Sequence, residues 1–195
     1  MESPEGKAIV YKSGKVVFHS SLRYLILSSL IEEPGVEVGS DEAGKGEDEG
    51  AIVVAAVALD ESARKELRSL GLLESKSVPR SRIPELFKEI SARALHVSTK
   101  VVTPEEFRSL WKRGNLNDLL ANWHKQVIKD CLTHVTADRV IVDSFDRKRL
   151  EKVFSDLRVQ VILEAGADKK YVSVAAASLI AKYLRGFSMR GKKWS

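Results

Sequence analysis

Cysteine is nearly absent. Cys131 is the single thiol in 195 residues, so no intrachain disulfide framework can exist, and a reducing compartment is the expectation. Long apolar runs are absent as well: stretches such as Ile52 to Leu59 fall far short of the roughly 20 residues a membrane-spanning helix needs. The opening residues, MESPEGK, carry acids and no apolar core, unlike a secretory signal. No repeat or low-complexity segment occurs. These absences exclude a disulfide-stapled scaffold, a helical membrane protein and a repeat array. They set the expectation of a cytoplasmic protein with no membrane partner, monomeric by default.

What is present is a chain 44% hydrophobic, with 32 Lys and Arg against 27 Asp and Glu, for a net charge of +5. That length and composition can bury a sizeable core, as one domain with a small appendage. The basic excess favours a polyanionic partner.

The stretch AIVYKSGKVVFHS alternates apolar and polar residues on either side of Ser13-Gly14, which reads as a hairpin. SSLRYLILSSLIEE then reads as a helix closed before Pro34-Gly35. A composition break around Glu32–Gly35 separates an appendage, residues 1–35, from a main domain, residues 36–195. Within the main domain, apolar strands (AIVVAAVAL, HVSTKVVT, RVIVD, VQVILEA) alternate with amphipathic helices. Asp60 is placed to cap one helix, and Thr103 with Glu106 forms a capping box on another. Strands alternating with helices predict an α/β fold, a mixed sheet flanked by helices.

The chain is organised around Val36 to Leu59, VEVGSDEAGKGEDEGAIVVAAVAL. A strand leads into Asp41 and Glu42, the glycine turn Gly44-Lys45-Gly46 follows, and then comes a strand apolar enough to be covered on both faces. Adjacent acids repel and raise one another's pKa unless a cation joins them, and oxygen-only ligands suit Mg²⁺ or Mn²⁺. Turn glycines reach positive φ and let backbone N–H groups approach a phosphate or sugar. Read alone, the stretch also fits an acidic hairpin between two sheet strands. Asp143 ends a second apolar strand, and Asp168 follows a third, just ahead of an alanine-rich helix. Each of these two also fits a helix cap. If the strands are neighbours, four carboxylates meet on one edge, where they could hold two divalent cations and serve phosphodiester hydrolysis.

With those residues in place, the chain resembles the type 2 ribonuclease H family, ribonucleases HII and HIII. GSDEAGKG is similar to the family's opening motif, VIVD to its third-carboxylate strand, and ADKKYVSVAAASLIAK to its acid-plus-helix segment. GLLESKSV resembles the family's Asp-Ser-Lys loop, with Glu74 in place of the aspartate. The motifs run in family order from residue 36 to about 187. GNLNDLLANWHKQVI, the Gly-Lys-Gly turn and the N-terminal hairpin are more similar to ribonuclease HIII, whereas Asp168 matches ribonuclease HII.

The resemblance implies a ribonuclease H-like fold and a metal-dependent endoribonuclease. It would cut the RNA strand of RNA–DNA hybrids, leaving 5′-phosphate ends. It implies that Asp41, Glu42, Asp143 and Asp168 are catalytic and hold two Mg²⁺ or Mn²⁺ ions. Gly44, Lys45 and Gly46 would meet ribose 2′-hydroxyls, while Lys45, Ser75, Lys76 and Lys182 would meet phosphates. For Lys182 a snorkelling helix lysine is the competing reading, and His124 reads as an ordinary helix histidine. Three departures stand out: the acids Glu47-Asp48-Glu49 after the turn, Gly186 where HII has aspartate, and an end at Ser195 where family members continue with further helices. These keep two alternatives open, a non-catalytic hybrid-binding paralogue and another nuclease or resolvase on the same fold.

Overall fold

The computed structural model describes residues 2–3, 6–10, 16–22, 34–47, 50–74, 78–111 and 115–190. Three short strands come first: β1 (Glu2–Ser3), β2 (Gly6–Val10) and β3 (Val16–Phe18). They form an antiparallel sheet in which Ile9 faces Val17, as the hairpin expectation requires. The turn residues Ser13-Gly14 and residues 23–33 of the expected helix lie outside the described residues; Ser20–Leu22 form a 3-10 turn.

The main sheet is built from β4 (Glu37–Ala43), β5 (Ile52–Leu59), β6 (His96–Val102), β7 (Arg139–Asp143) and β8 (Gln160–Glu164). Between them run α1 (Glu61–Ser69), α2 (Ile83–Arg93), α3 (Pro104–Trp111), α4 (Leu116–His134) and α5 (Arg147–Phe154), and α6 (Val172–Arg190) follows β8. Strand order is β6-β5-β4-β7-β8. The β4–β5–β6 ladders are antiparallel, whereas β4–β7 and β7–β8 are parallel. The expected caps are in place: Asp60 Oδ1 accepts from Ala63 N at 2.8 Å, and Thr103 Oγ1 accepts from Glu106 N at 3.2 Å. No helix among the described residues is long and apolar enough to cross a membrane.

The unbroken apolar run of β5 has a direct cause. Alternate strand residues face opposite sides, and both sides of this strand are covered. Val53, Ala55, Val57 and Leu59 pack under α1, α2 and α6. Ile52, Val54, Ala56 and Ala58 pack under α4 and α5. The alanine face of α6 brings that helix close to β4. At Gly39, an added Cβ would lie 2.2 Å from the carbonyl carbon of Ser173 and 2.3 Å from Val174 N.

One end of β4 carries a buried ionic cluster with no sequence signature. Glu37 Oε1 accepts from Arg139 Nη2 at 2.7 Å and Nε at 2.9 Å, and Ser173 Oγ donates to Glu37 Oε2 at 3.0 Å. Arg64, fully buried, stands 3.6 Å from Glu37 Oε2 and donates to the carbonyls of Gly35 and Leu59. Removing the one acid leaves two buried guanidinium groups facing each other. Glu37→Ala should therefore cost about 3–5 kcal/mol, measured by urea unfolding; a loss under about 1 kcal/mol would mean the cluster behaves as a surface ion pair.

Candidate active site

The opposite end of β4 holds the acids. Strand alternation turns Asp41 toward α6 and Glu42 toward α4, so the adjacent pair points to opposite faces of the sheet. Asp143 closes β7, the parallel neighbour of β4, one residue beyond the Ser40–Val142 pair. Its Oδ1 accepts from Gly166 N at 2.7 Å and Ala167 N at 3.4 Å. Those amides belong to the turn that carries Asp168, buried in the 3-10 segment Ala167–Lys169. The reading of Asp143 as the cap of the following helix does not hold, since α5 is capped by Asp146.

The four carboxyl groups feel one another. Burial pushes the Asp41 pKa up to about 8, helped by the charges of Glu42 and Asp143 and opposed by hydrogen bonds from Ser178 and the Glu42 amide. Asp143 is raised too, by burial first and then by Asp168 and Glu42, against the Gly166 and Ala167 amides. No three of these groups bring ligand oxygens within 4.8 Å of one another. An all-oxygen donor set at the mouth of a sheet suits hard divalent cations of the Mg²⁺ or Mn²⁺ kind.

His124, read from the sequence as an ordinary helix histidine, is a core residue of α4 that also reaches Glu42. It is fully buried, with Nδ1 2.8 Å from Ser40 Oγ and Nε2 3.1 Å from Glu42 Oε2. Ser40 Oγ gives its only proton to the Ala55 carbonyl at 2.8 Å, so by hydrogen-bond accounting His124 Nδ1 is the donor to Ser40. Its Nε2 faces Glu42 Oε2 at 3.1 Å, a contact that needs a proton on one of the two atoms. The clue available in sequence is that His124 lies on the apolar stripe of α4 with Leu120, Val127 and Cys131. Outer-shell partners of metal ligands are worth roughly 10–100-fold in affinity or activity. His124→Ala should weaken Mn²⁺ binding, followed by calorimetry, by that order, with Asn retaining more than Ala; an unchanged affinity would leave His124 a core residue.

Beyond the acids, Gly44 and Gly46 adopt φ of 97° and 75°, the left-handed turn expected of the glycines. Lys45 folds back, its Nζ 3.9 Å from Glu42 Oε1 and 3.9 Å from the centre of the Phe145 ring. A groove of about 1040 Å³ opens beside this turn, with Gly44, Lys45, Arg80, Lys182 and Arg185 among its walls. Lys182 thus stands at the site edge with the turn. Of the three acids that depart from the family pattern, Glu47 is answered by Arg185 at 2.8 Å. Asp48, Glu49, Ser75 and Lys76 lie outside the described residues.

A β6-β5-β4-β7-β8 mixed sheet with acids at the adjoining ends of β4 and β7 defines a ribonuclease H-like fold with a carboxylate centre. The ribonuclease HII family model matches residues 38–193, and the chain belongs to that family. It is similar to the ribonuclease HII of Methanothermobacter thermautotrophicus, 36% identical over 154 residues, 76% of this chain and 72% of that protein. The ribonuclease HII solved with PCNA from Archaeoglobus fulgidus superposes with a TM-score of 0.71 at 33% identity, covering 81% of this chain and 76% of that one. Bst ribonuclease HIII in complex with Mn²⁺ shares the fold, with a TM-score of 0.73 at 24% identity over 98% of this chain and 71% of that one.

Proposed function

We propose that this enzyme cuts the RNA strand of RNA–DNA hybrids, with Asp41, Glu42, Asp143 and Asp168 holding two Mg²⁺ or Mn²⁺ ions. The observation that carries this reading is the meeting of acids from β4, β7 and the turn before α6 beside a glycine turn and a basic groove. The chemistry that such cations supply is activation of a water and stabilisation of the leaving 3′-oxygen, giving 5′-phosphate products. The chain's own groups do the rest. Ser178 and the Glu42 amide orient Asp41, the Gly166 and Ala167 amides orient Asp143, and His124 holds Glu42. Gly44 and Gly46 leave backbone groups open to ribose 2′-hydroxyls, the feature that separates RNA from DNA. Lys45, Lys182, Ser75 and Lys76 meet phosphates, an attraction that weakens with salt.

Residues 1–35 form a separate small appendage on this reading, and residues 36–195 the catalytic domain. We also infer a HIII-like preference for a run of ribonucleotides over a single embedded one. The Gly-Lys-Gly turn favours it. Asp168 and the named ribonuclease HII relatives weigh the other way.

A denaturing gel on labelled hybrid, with Mg²⁺, Mn²⁺ or chelator, tests the reading beside duplex DNA carrying one ribonucleotide. Metal-dependent cutting of hybrid alone supports the HIII-like preference, and cutting of both supports HII-like behaviour. Asp143→Asn should abolish cutting while its circular dichroism and unfolding midpoint stay near the parent's. Hybrid bound but never cut points to a binding paralogue, and cutting of DNA junctions with hybrids intact points to a resolvase.

A further inference from the structure

At the far end of the sheet from the carboxylates, three donor side chains meet that the proposed nuclease chemistry does not use. His96 opens β6 opposite Ala58 of β5, whereas Asp41 faces Ala55. Asp130 and His134 lie one turn apart on α4, His134 ten residues and therefore about 15 Å along the helix from His124. Among the described residues this is the group of three whose ligand atoms all fall within 4.8 Å of one another. We propose that His96, Asp130 and His134 form a second cation site, for a borderline transition metal such as Zn²⁺, which fastens the edge strand β6 to the end of α4.

Hydrogen bonding prepares the ligands. His134 Nδ1 lies 2.9 Å from the Asp130 carbonyl oxygen, an acceptor that only an N–H can satisfy, so the Nε2 lone pair is left outward. Metal-binding histidines are held in this way, with the second nitrogen tied to a carbonyl. His96 Nε2 stands 3.1 Å from Asp130 Oδ2 with a proton between them. Two ligand atoms each about 2.0–2.1 Å from one zinc ion are separated by a similar distance, so the cation can take the place of that proton. The two imidazole rings stack, with centroids 3.9 Å apart and planes 8° from parallel. One ion cannot lie in both planes at that spacing, so binding tilts a ring. Side-chain exposures of 23% for His96 and 49% for Asp130 leave room for the movement and for a solvent ligand.

Donor chemistry separates this site from the other. Two imidazoles and one carboxylate favour Zn²⁺, Co²⁺ or Ni²⁺, while an all-oxygen cluster favours Mg²⁺ or Mn²⁺. The partner is therefore a cation that the cleavage reaction does not call for, and its effect is mechanical, closing the outer edge of the sheet against a helix.

The test uses the full chain with Zn²⁺ and Co²⁺ as probes, and His96→Gln and His134→Gln singly and together. Calorimetry should show one Zn²⁺ equivalent that survives in the Asp41→Asn/Asp143→Asn background, where the carboxylate cluster is disabled. Zn²⁺ should raise the thermal midpoint, and Co²⁺ should give a visible absorption band. Each histidine variant should weaken Zn²⁺ binding by at least about tenfold and lose the band, with Mg²⁺-dependent hybrid cutting unchanged. Zn²⁺ uptake that persists in the double histidine variant, or no uptake in the carboxylate-disabled protein, overturns the assignment.

Discussion

The Asp41→Asn protein should lose hybrid cutting altogether and yet, free of cations, melt at a higher temperature than its parent at pH 8. Both effects come from one carboxyl group. Asp41 is buried beside Glu42 and Asp143, and its pKa stands at about 8 against an ordinary 3.8. A raised carboxyl pKa means that the folded chain holds the proton more tightly than the unfolded chain does. Stability linked to this group is therefore complete below about pH 4, falls as pH rises through the window up to about 8, and is flat above it. Within the window each pH unit costs at most about 1.4 kcal/mol. Asn carries no charge at any pH, so the variant escapes the slope, and at about 2–4 °C per kcal/mol a rise of several degrees is expected. Added Mn²⁺ should raise the parent's midpoint and leave the variant's nearly unmoved. The apparent metal affinity of the parent should climb from pH 6 to pH 8, as the cation competes with one proton fewer. Calorimetric scans at pH 5 and pH 8, with and without Mn²⁺, read all of this. A variant that melts at or below its parent at pH 8 would mean that Asp41 is not a crowded carboxylate.

The second large effect is steric. Gly39→Ala places a Cβ 2.2 Å from the carbonyl carbon of Ser173, 2.3 Å from Val174 N and 2.5 Å from Ser173 O, all backbone atoms that cannot swing aside. To admit one methyl group, α6 must back away from β4 along its first turn. That costs packing in the cluster of Ile141, Ala167 and Val174 and disturbs the Ser173 bond to Glu37. Overpacking of a tight core costs about 1–3 kcal/mol, occasionally more, and backbone against backbone lies at the upper end. The same helix carries Ser178 beside Asp41 and Lys182 beside the glycine turn, so hybrid cutting should fall along with stability. Urea unfolding and the gel assay check both. A stability within about 0.5 kcal/mol of the parent would show that helix and strand are not in close contact.

Local pattern made the strands, most of the helices and the positions of the acids legible, because alternation, capping and turn chemistry act over a few residues. Asp60, Thr103 and the glycine turn are examples. Partnership across the chain was not legible. Glu37 meets Arg139 across 102 positions and Ser173 across 136, and His124 meets Glu42 across 82. None of these pairs leaves a local pattern. The opposite orientation of Asp41 and Glu42 follows from strand alternation alone. The exact distance between the acids lay beyond any pattern, since it depends on how β4, β7 and the turn before α6 settle together.

The strand β4 is acidic at both ends, and the two ends are neutralised from different sources. At Glu37 the opposing charge is written into the chain as Arg64 and Arg139, so it arrives with folding and no reagent can withdraw it. At Asp41, on the proposed reading, much of the opposing charge would come from a cation in solution. On the proposed reading a chelator would therefore act on one end of a single strand and leave the Glu37, Arg64 and Arg139 cluster in place. Withdrawing the cation would then be expected to stop cutting while the buried pairing of Glu37 with Arg64 and Arg139 persists.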